Sequence, residues 1–354
     1  MLSFEDFRGQ SAHIGQLQSD FAAHAFVHAY LISGPRGTGK KSVARLCAMA
    51  ALCRGEGANK PCGACGPCRR VLSGSHPDVH TVLPEKGKQS IGVDVVRDVI
   101  AEVSVKSFEA ATKALIFPEA HRMTPAAQNC LLKTLEEPPQ DTVFFLITDQ
   151  PGTLLPTIVS RCRVIRFHPL PTQEAEKRLI ALGEKPQDAA RKARMAEGCV
   201  GQALEIDEGR LELLEQLTND VFSVHRPGDV LSVVSRYKDD KERQRQAMDL
   251  LEGIVRDVLL AQAGAEDVSL AAQAAAYAKS VPLSGGLKLS ASVTRARMMM
   301  ASNVSFVSAF ESVLLVISEE YAKWPWESGC ASSVPANCMI LTRMGLNCIP
   351  ACML

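Results

Sequence analysis

An α/β domain built on a parallel sheet, followed by a small helical domain and then an all-helical one, is the fold class this 354-residue sequence predicts. Three observations carry it. Short apolar runs alternate with helical patterns through the first 170 residues, the pattern of strands joined by crossover helices. A glycine-rich loop, Gly34 to Lys40, separates the first of those runs from the first helix. Beyond Pro169 and Pro171 the strand-like runs stop and only helical spacing continues.

The elements follow in order. His28 to Ser33 is a short apolar strand, and Lys41 to Cys53 is an alanine-rich helix. Asp78 to Leu83 reads as a strand. Ile91 to Val103 places Val95, Val96, Val99, Ile100 and Val103 at helical spacing. Ala114 to Phe117 is a buried strand, and Thr124 to Glu137 is a helix stopped by Pro138 and Pro139. Val143 to Thr148 is a strand, Thr153 to Ser160 a short helix and Val164 to Phe167 a last strand. Thr172 to Leu204 is helical with Gly198 and Gly201 as turn residues, and is too short for a large core. From Gly209 the helical pattern resumes; Gly285 and Gly286 are expected to break it, and a final long helix to run from Leu289 to Tyr321. The domains are therefore expected at 1–170, 171–208 and 209–323. The segment 324–354 holds Cys330, Cys338, Cys348 and Cys352 with almost no charge and no helical period. It reads as a disordered tail, with a metal-binding or partner-binding segment as the alternative.

Lysine plus arginine number 39, as do aspartate plus glutamate, so the formal net charge is zero. That excludes the basic excess of a free-standing DNA binder, so any contact with nucleic acid is expected through a local patch or within an assembly. Apolar residues make up 46%, which excludes wholesale disorder. No apolar run approaches the roughly 18 residues of a membrane-spanning helix, so no membrane partner is expected. Met1 to Gln10 carries Glu5 and Asp6 and lacks the apolar core of a signal peptide. The expected location is the cytoplasm, a reducing compartment in which twelve cysteines call for something other than disulfides.

Gly34-Pro35-Arg36-Gly37-Thr38-Gly39-Lys40 stands between a strand and a helix, the context a phosphate-binding loop requires. Gly34, Gly37 and Gly39 let backbone N–H groups turn inward, Thr38 lies within the loop, and Lys40 is placed to reach the β and γ phosphates. The motif then fails. Lys41 stands where a serine or threonine hydroxyl normally holds Mg²⁺. Ser42 comes one residue late, about 100° around the helix. A second defect lies at the end of the strand Ala114 to Phe117, where an ATPase places a metal-binding aspartate. Here that residue is Pro118, with Glu119 remaining after it. With two Mg²⁺ contacts missing, hydrolysis is not expected; whether ATP still binds is left open.

Cys53, Cys62, Cys65 and Cys68 are separated by eight, two and two residues. Four thiolates suit a closed tetrahedral site, which is the signature of structural Zn²⁺, so one zinc held at 53–68 is expected. A redox Cys-x-x-Cys is the alternative. Cys47 reads as core, and Cys130, Cys162 and Cys199 as free buried thiols. His121 reads as structural, Met298, Met299 and Met300 as packing residues, and the basic residues Arg236, Lys238, Lys241, Arg243 and Arg245 as a solvated helix face.

Two further stretches carry a family resemblance. Ala127 to Pro139, reading AQNCLLKTLEEPP, resembles the helix after the acidic strand in bacterial clamp loaders of the AAA+ class. Ser160-Arg161-Cys162 resembles their Ser-Arg-Cys signature. The resemblance covers about residues 1 to 320. It implies an AAA+ domain, a helical lid and a helical collar. It also implies a five-subunit ring with gamma or tau and delta partners, which places the sliding clamp on primed DNA as part of the DNA polymerase III holoenzyme. In the family, Arg161 reaches a neighbour's ATP in trans, Thr148 occupies the sensor position, and the four cysteines match the zinc module of the first domain. Lys41, Pro118 and Gly201, the last where the motor subunit has a sensor arginine, distinguish this chain from the gamma or tau motor. The chain is then no ATPase or polymerase by itself. An active motor of the same family is the alternative.

Overall fold

The computed structural model describes residues 3–10, 12–55, 60–104, 112–265 and 272–323. The segment 324–354, with its four cysteines and its reading as a disordered tail, lies outside the described residues. The chain divides into two compact units, Met1–Asp207 and Glu208–Leu354.

The first unit begins with a 3₁₀ turn, Phe4–Gln10, and helix α1 (Ile14–Ala22). Neither is among the elements expected from the sequence. Strand β1 (Ala29–Ser33) leads through the glycine loop into α2 (Lys40–Leu52). Next come α3 (Gly66–Ser73), β2 (Val79–Thr81), α4 (Val93–Ser104) and β3 (Lys113–Phe117). They are followed by α5 (Pro125–Glu136), β4 (Thr142–Thr148), α6 (Pro156–Val159) and β5 (Arg163–Arg166). Thr153–Ser160 is not one helix. A 3₁₀ turn, Pro151–Thr153, and the single turn of α6 flank extended residues Leu154 and Leu155, because Pro156 restricts the residue before it to extended backbone.

Five strands among the described residues form one parallel sheet in the order β2-β3-β4-β1-β5. β1, β3 and β4 are buried at every position, which is why they read as unbroken apolar runs. The pleat sends alternate residues to two cores. Tyr30, Ile32, Phe145 and Ile147 pack with Val43, Leu46 and Cys47 of α2. Leu31, Leu115, Phe144 and Leu146 pack with Val96, Leu131, Leu135 and Ile158. Thr124 starts α5 by accepting a hydrogen bond from the Ala127 N–H at 3.2 Å. Helices α7 (Thr172–Ala181), α8 (Pro186–Met195) and α9 (Val200–Leu204) complete the unit around Leu179, Ala189, Ala193 and Ala203, all fully buried.

The second unit is helical: α10 (Glu208–Phe222), α11 (Asp229–Val234), α12 (Lys241–Gln262), α13 (Ala272–Ser280), α14 (Leu283–Ala301) and α15 (Phe306–Lys323). Gly285 and Gly286 do not break a helix but lie in the first turn of α14, after the Pro282 cap. A side chain on Gly286 would run into Gln262 and Leu259 of α12, so these glycines serve helix packing. The long helix Leu289 to Tyr321 is in fact two helices. The break falls at Asn303, which takes a left-handed φ of 64° after α14, a conformation asparagine tolerates better than most residues. Met298 faces solvent at 65% exposure instead of packing. Arg236 pairs with the buried carboxylate of Asp220, and Arg243 lies over the Tyr237 ring, so these two do more than solvate a face. Among the described residues no helix is long and apolar enough to cross a membrane.

Candidate functional site

The strands run parallel, so the C-terminal ends of β1, β3 and β4 share one edge of the sheet. There the Gly34 N–H donates to the Thr148 carbonyl at 3.2 Å. The loop turns through left-handed φ at Gly37 and Gly39, and Gly39 caps α2. The Lys40 ammonium, largely buried, donates to the Gly34 carbonyl at 2.6 Å and to the Pro35 carbonyl. Burial lowers its pKa below the usual lysine value. Thr38 is buried and its hydroxyl donates to the Pro35 carbonyl at 2.8 Å. The loop thus satisfies its own cation and hydroxyl.

Helix α9 closes over this loop. The Gly201 N–H donates to the Gly37 carbonyl at 2.8 Å, and Gln202 Nε2 donates to the Arg36 carbonyl at 3.0 Å. An exposed ion pair, Arg36 with Glu205 at 3.2 Å, adds to the same contact. A Cβ on Gly201 would sit 2.8 Å from the Gly37 carbonyl oxygen, so the contact exists only because residue 201 has no side chain. Gly201→Ala is expected to cost about 1–3 kcal/mol through overpacking. A thermal melt should register about 2–4 °C for each kcal/mol lost in a unit of this size.

At the end of β3, Pro118 supplies no carboxylate. Glu119 faces two cations of its own chain: Lys41 Nζ at 3.8 Å from one oxygen and Arg122 Nε at 3.1 Å from the other. Thr148 is buried; its hydroxyl accepts from the Gln150 N–H at 2.9 Å and lies 3.4 Å from His121 Nδ1. His121 Nδ1 also lies 3.3 Å from an Asp149 oxygen. The phosphate loop, Glu119 and Thr148 are therefore brought together, with each polar group already engaged inside the chain.

Arg161 belongs elsewhere. It follows α6 and precedes β5, and the register pairs Arg163 with Tyr30 near the start of β1. The phosphate loop follows the other end of β1, a five-residue strand, so about 16 Å of strand at 3.3 Å per residue separates the two edges. Arg161 Nη2 lies 2.7 Å from Glu136 Oε1, and Nη1 donates to the Thr157 carbonyl at 3.0 Å. Its side chain remains 36% exposed. The Ser160 hydroxyl donates to the same Thr157 carbonyl at 3.0 Å, and burial pushes the Cys162 thiol up to about 12. Arg163, by contrast, is bound to Asp20 at 2.6 Å.

The sulfur atoms of Cys53, Cys62, Cys65 and Cys68 all lie within 4.8 Å of one another and could hold a metal ion. Four thiolates at the usual 2.3 Å from a tetrahedral ion would stand about 3.8 Å apart, so a small contraction suffices. Backbone N–H groups already point at the sulfurs: Gly55 and Cys62 donate to Cys53 at 3.3 Å, and Cys65 donates to Cys62 at 3.4 Å. The Cys65 N–H, first among several such groups, lowers the Cys62 thiol to about 6. Burial raises the Cys68 thiol well above its ordinary value. Cys65 and Cys68 are fixed by α3, a helix not expected from the sequence. Cys47 is fully buried, as expected, and Cys199 is buried, whereas Cys130 and Cys162 are only partly so.

Three residues at these sites escape sequence reasoning. Gln128 is buried, accepts from the Leu155 N–H at 2.8 Å and donates to the Met123 and Thr153 carbonyls, tying the turns that follow β3 and β4 to the start of α6. Gln128 lies within the stretch that carries the family resemblance, but its partners are not legible there. Glu136 and Gln202 have no local signal, since their partners lie 25 and 166 positions away.

Residues 9–171 match the family model described as DNA polymerase III, delta subunit. DNA polymerase III subunit delta' of Bacillus subtilis is 37% identical over 252 residues, 68% of this chain and 74% of that protein. The subunit delta' of Escherichia coli is 34% identical over 260 residues, 72% of this chain and 76% of that protein. Subunit tau of Bacillus subtilis is also 34% identical, over 60% of this chain but only 34% of tau.

Proposed function

Because this chain belongs to the family of DNA polymerase III delta' subunits, we propose that it hydrolyses no ATP itself and instead presents Arg161 to the ATP site of a neighbouring subunit. The observation that carries this reading is the placement of Arg161 at the end of the sheet opposite its own phosphate loop, partly exposed, where it cannot serve that loop. A guanidinium suits the task because it is always charged and offers donors in a planar fork that matches phosphate oxygens.

The loop itself supports the first half of the reading. Lys41 replaces the hydroxyl that would bind Mg²⁺, Pro118 replaces the metal-binding carboxylate, and Glu119 is already neutralised by Lys41 and Arg122. The Gly201 contact closes the lid over the loop, so nucleotide would have to displace it. In this reading residues 1–170 form the AAA+ domain, 171–208 its lid and 209–323 the collar that joins a five-subunit ring with gamma or tau and delta. The ring loads the sliding clamp on primed DNA in the cytoplasm, and its contact with DNA is through phosphates, independent of sequence. The four cysteines hold one structural Zn²⁺.

The isolated chain is expected to release phosphate from ATP at no more than the buffer rate. A steady-state phosphate assay on the purified protein checks this. Turnover at the rate of a motor subunit would instead make the chain an ATPase.

A further inference from the structure

The contact between Arg161 and Glu136 has a use beyond surface pairing. Glu136 closes the last turn of α5, where the helix dipole disfavours a carboxylate and favours a cation. Its side chain nevertheless reaches Arg161 Nη2 at 2.7 Å, a charge-assisted distance. The Thr157 carbonyl of α6 takes Nη1 at 3.0 Å. Two elements thus grip the guanidinium at two points, and its side chain stays 36% exposed.

We propose that Glu136 is a positioning residue, holding Arg161 in the orientation in which it enters the neighbouring ATP site; this rests on the reading of Arg161 given above. A free arginine must give up several rotamers when it docks on a phosphate. One already held by Glu136 and Thr157 has lost that freedom before the subunits meet, so more of the contact is available to the transition state.

The test is the primed-DNA-stimulated ATPase of the complex reconstituted from this chain with its motor and delta partners, for wild type, Glu136→Ala, Arg161→Ala and the double variant. Glu136→Ala is expected to lower kcat about three- to tenfold with KM for ATP within about twofold. The double variant is expected to be no slower than Arg161→Ala alone, because Glu136 acts only through Arg161. An unchanged or faster Glu136→Ala complex overturns the proposal, as does a double variant in which the two losses multiply. If Arg161→Ala itself leaves the rate unchanged, it is the finger reading that fails, and Glu136 has nothing to position.

Discussion

Alanine at position 161 should slow the DNA-stimulated ATPase of the assembled clamp loader by tenfold or more, while the complex still forms. Tenfold corresponds to about 1.4 kcal/mol of barrier. Arginines supplied in trans to GTPases set an upper guide of about 10³–10⁵. Assembly and folding should survive because, among the described residues, the Arg161 guanidinium is held by a partly exposed ion pair and one carbonyl, contacts worth about 0–1 kcal/mol. Arg161→Lys should restore little. It keeps the charge but replaces a planar fork with a point donor on a shorter reach. Arg163→Ala is the control: Arg163 is bound to Asp20 within the chain and should affect stability more than turnover. Size-exclusion chromatography of each complex before the assay separates assembly from catalysis. A wild-type rate from a correctly assembled Arg161→Ala complex would make the Ser-Arg-Cys segment structural and the chain a scaffold.

Removal of the metal should have the second large effect. One zinc per chain is expected, and Cys68→Ala should reduce it to less than about a tenth. Cys68 is fully buried under α2, so its loss removes both a ligand and the anchor of α3. Structural zinc in small modules contributes about 10–16 kcal/mol of apparent binding free energy at neutral pH. The segment 53–73 has little apolar surface of its own to replace that, since the buried residues among those described are few: Cys53, Gly63, Pro67, Cys68 and Val71. A chelator or Cys68→Ala should therefore open this segment to proteolysis while the parallel sheet, whose two cores are built mostly from residues outside it, keeps its circular dichroism. Acidification should release the ion in the same way, because protons compete for thiolates. Metal analysis that finds no zinc, with all four thiols freely titratable in the native protein, would exclude the site.

What the sequence determined by itself is whatever depends on neighbours along the chain. The strands β1, β3 and β4 were legible as unbroken apolar runs, because both of their faces are covered. Helix α5 was legible from Thr124 at its start and Pro138 beyond its end. The phosphate loop and its two defects were legible because a phosphate cradle needs fixed residues at fixed spacing. The cysteine set was legible because a tetrahedral ion needs four thiols close together in one turn-rich stretch.

The tertiary structure decided the rest, and the reason is distance along the chain. Gly201 looked like a turn residue and a missing sensor arginine; only the fold brings its N–H to the Gly37 carbonyl and gives its lack of a side chain a purpose. Gly285 and Gly286 looked like a break, because glycine lowers helix propensity by about 1 kcal/mol. The close packing of Gly286 against α12, and of Gly285 against Val281 and Glu320 of α15, outweighs that, and the real break waits for Asn303. The motif named Arg161, but the direction of β5 puts it at the opposite end of the strands from its own phosphate loop, and only folding sets Glu136 against it. Propensity, capping and ligand spacing act over a few residues and can be read in order. Which loop a glycine admits, and which carboxylate holds an arginine, depends on the sheet order and on the helices folded against it.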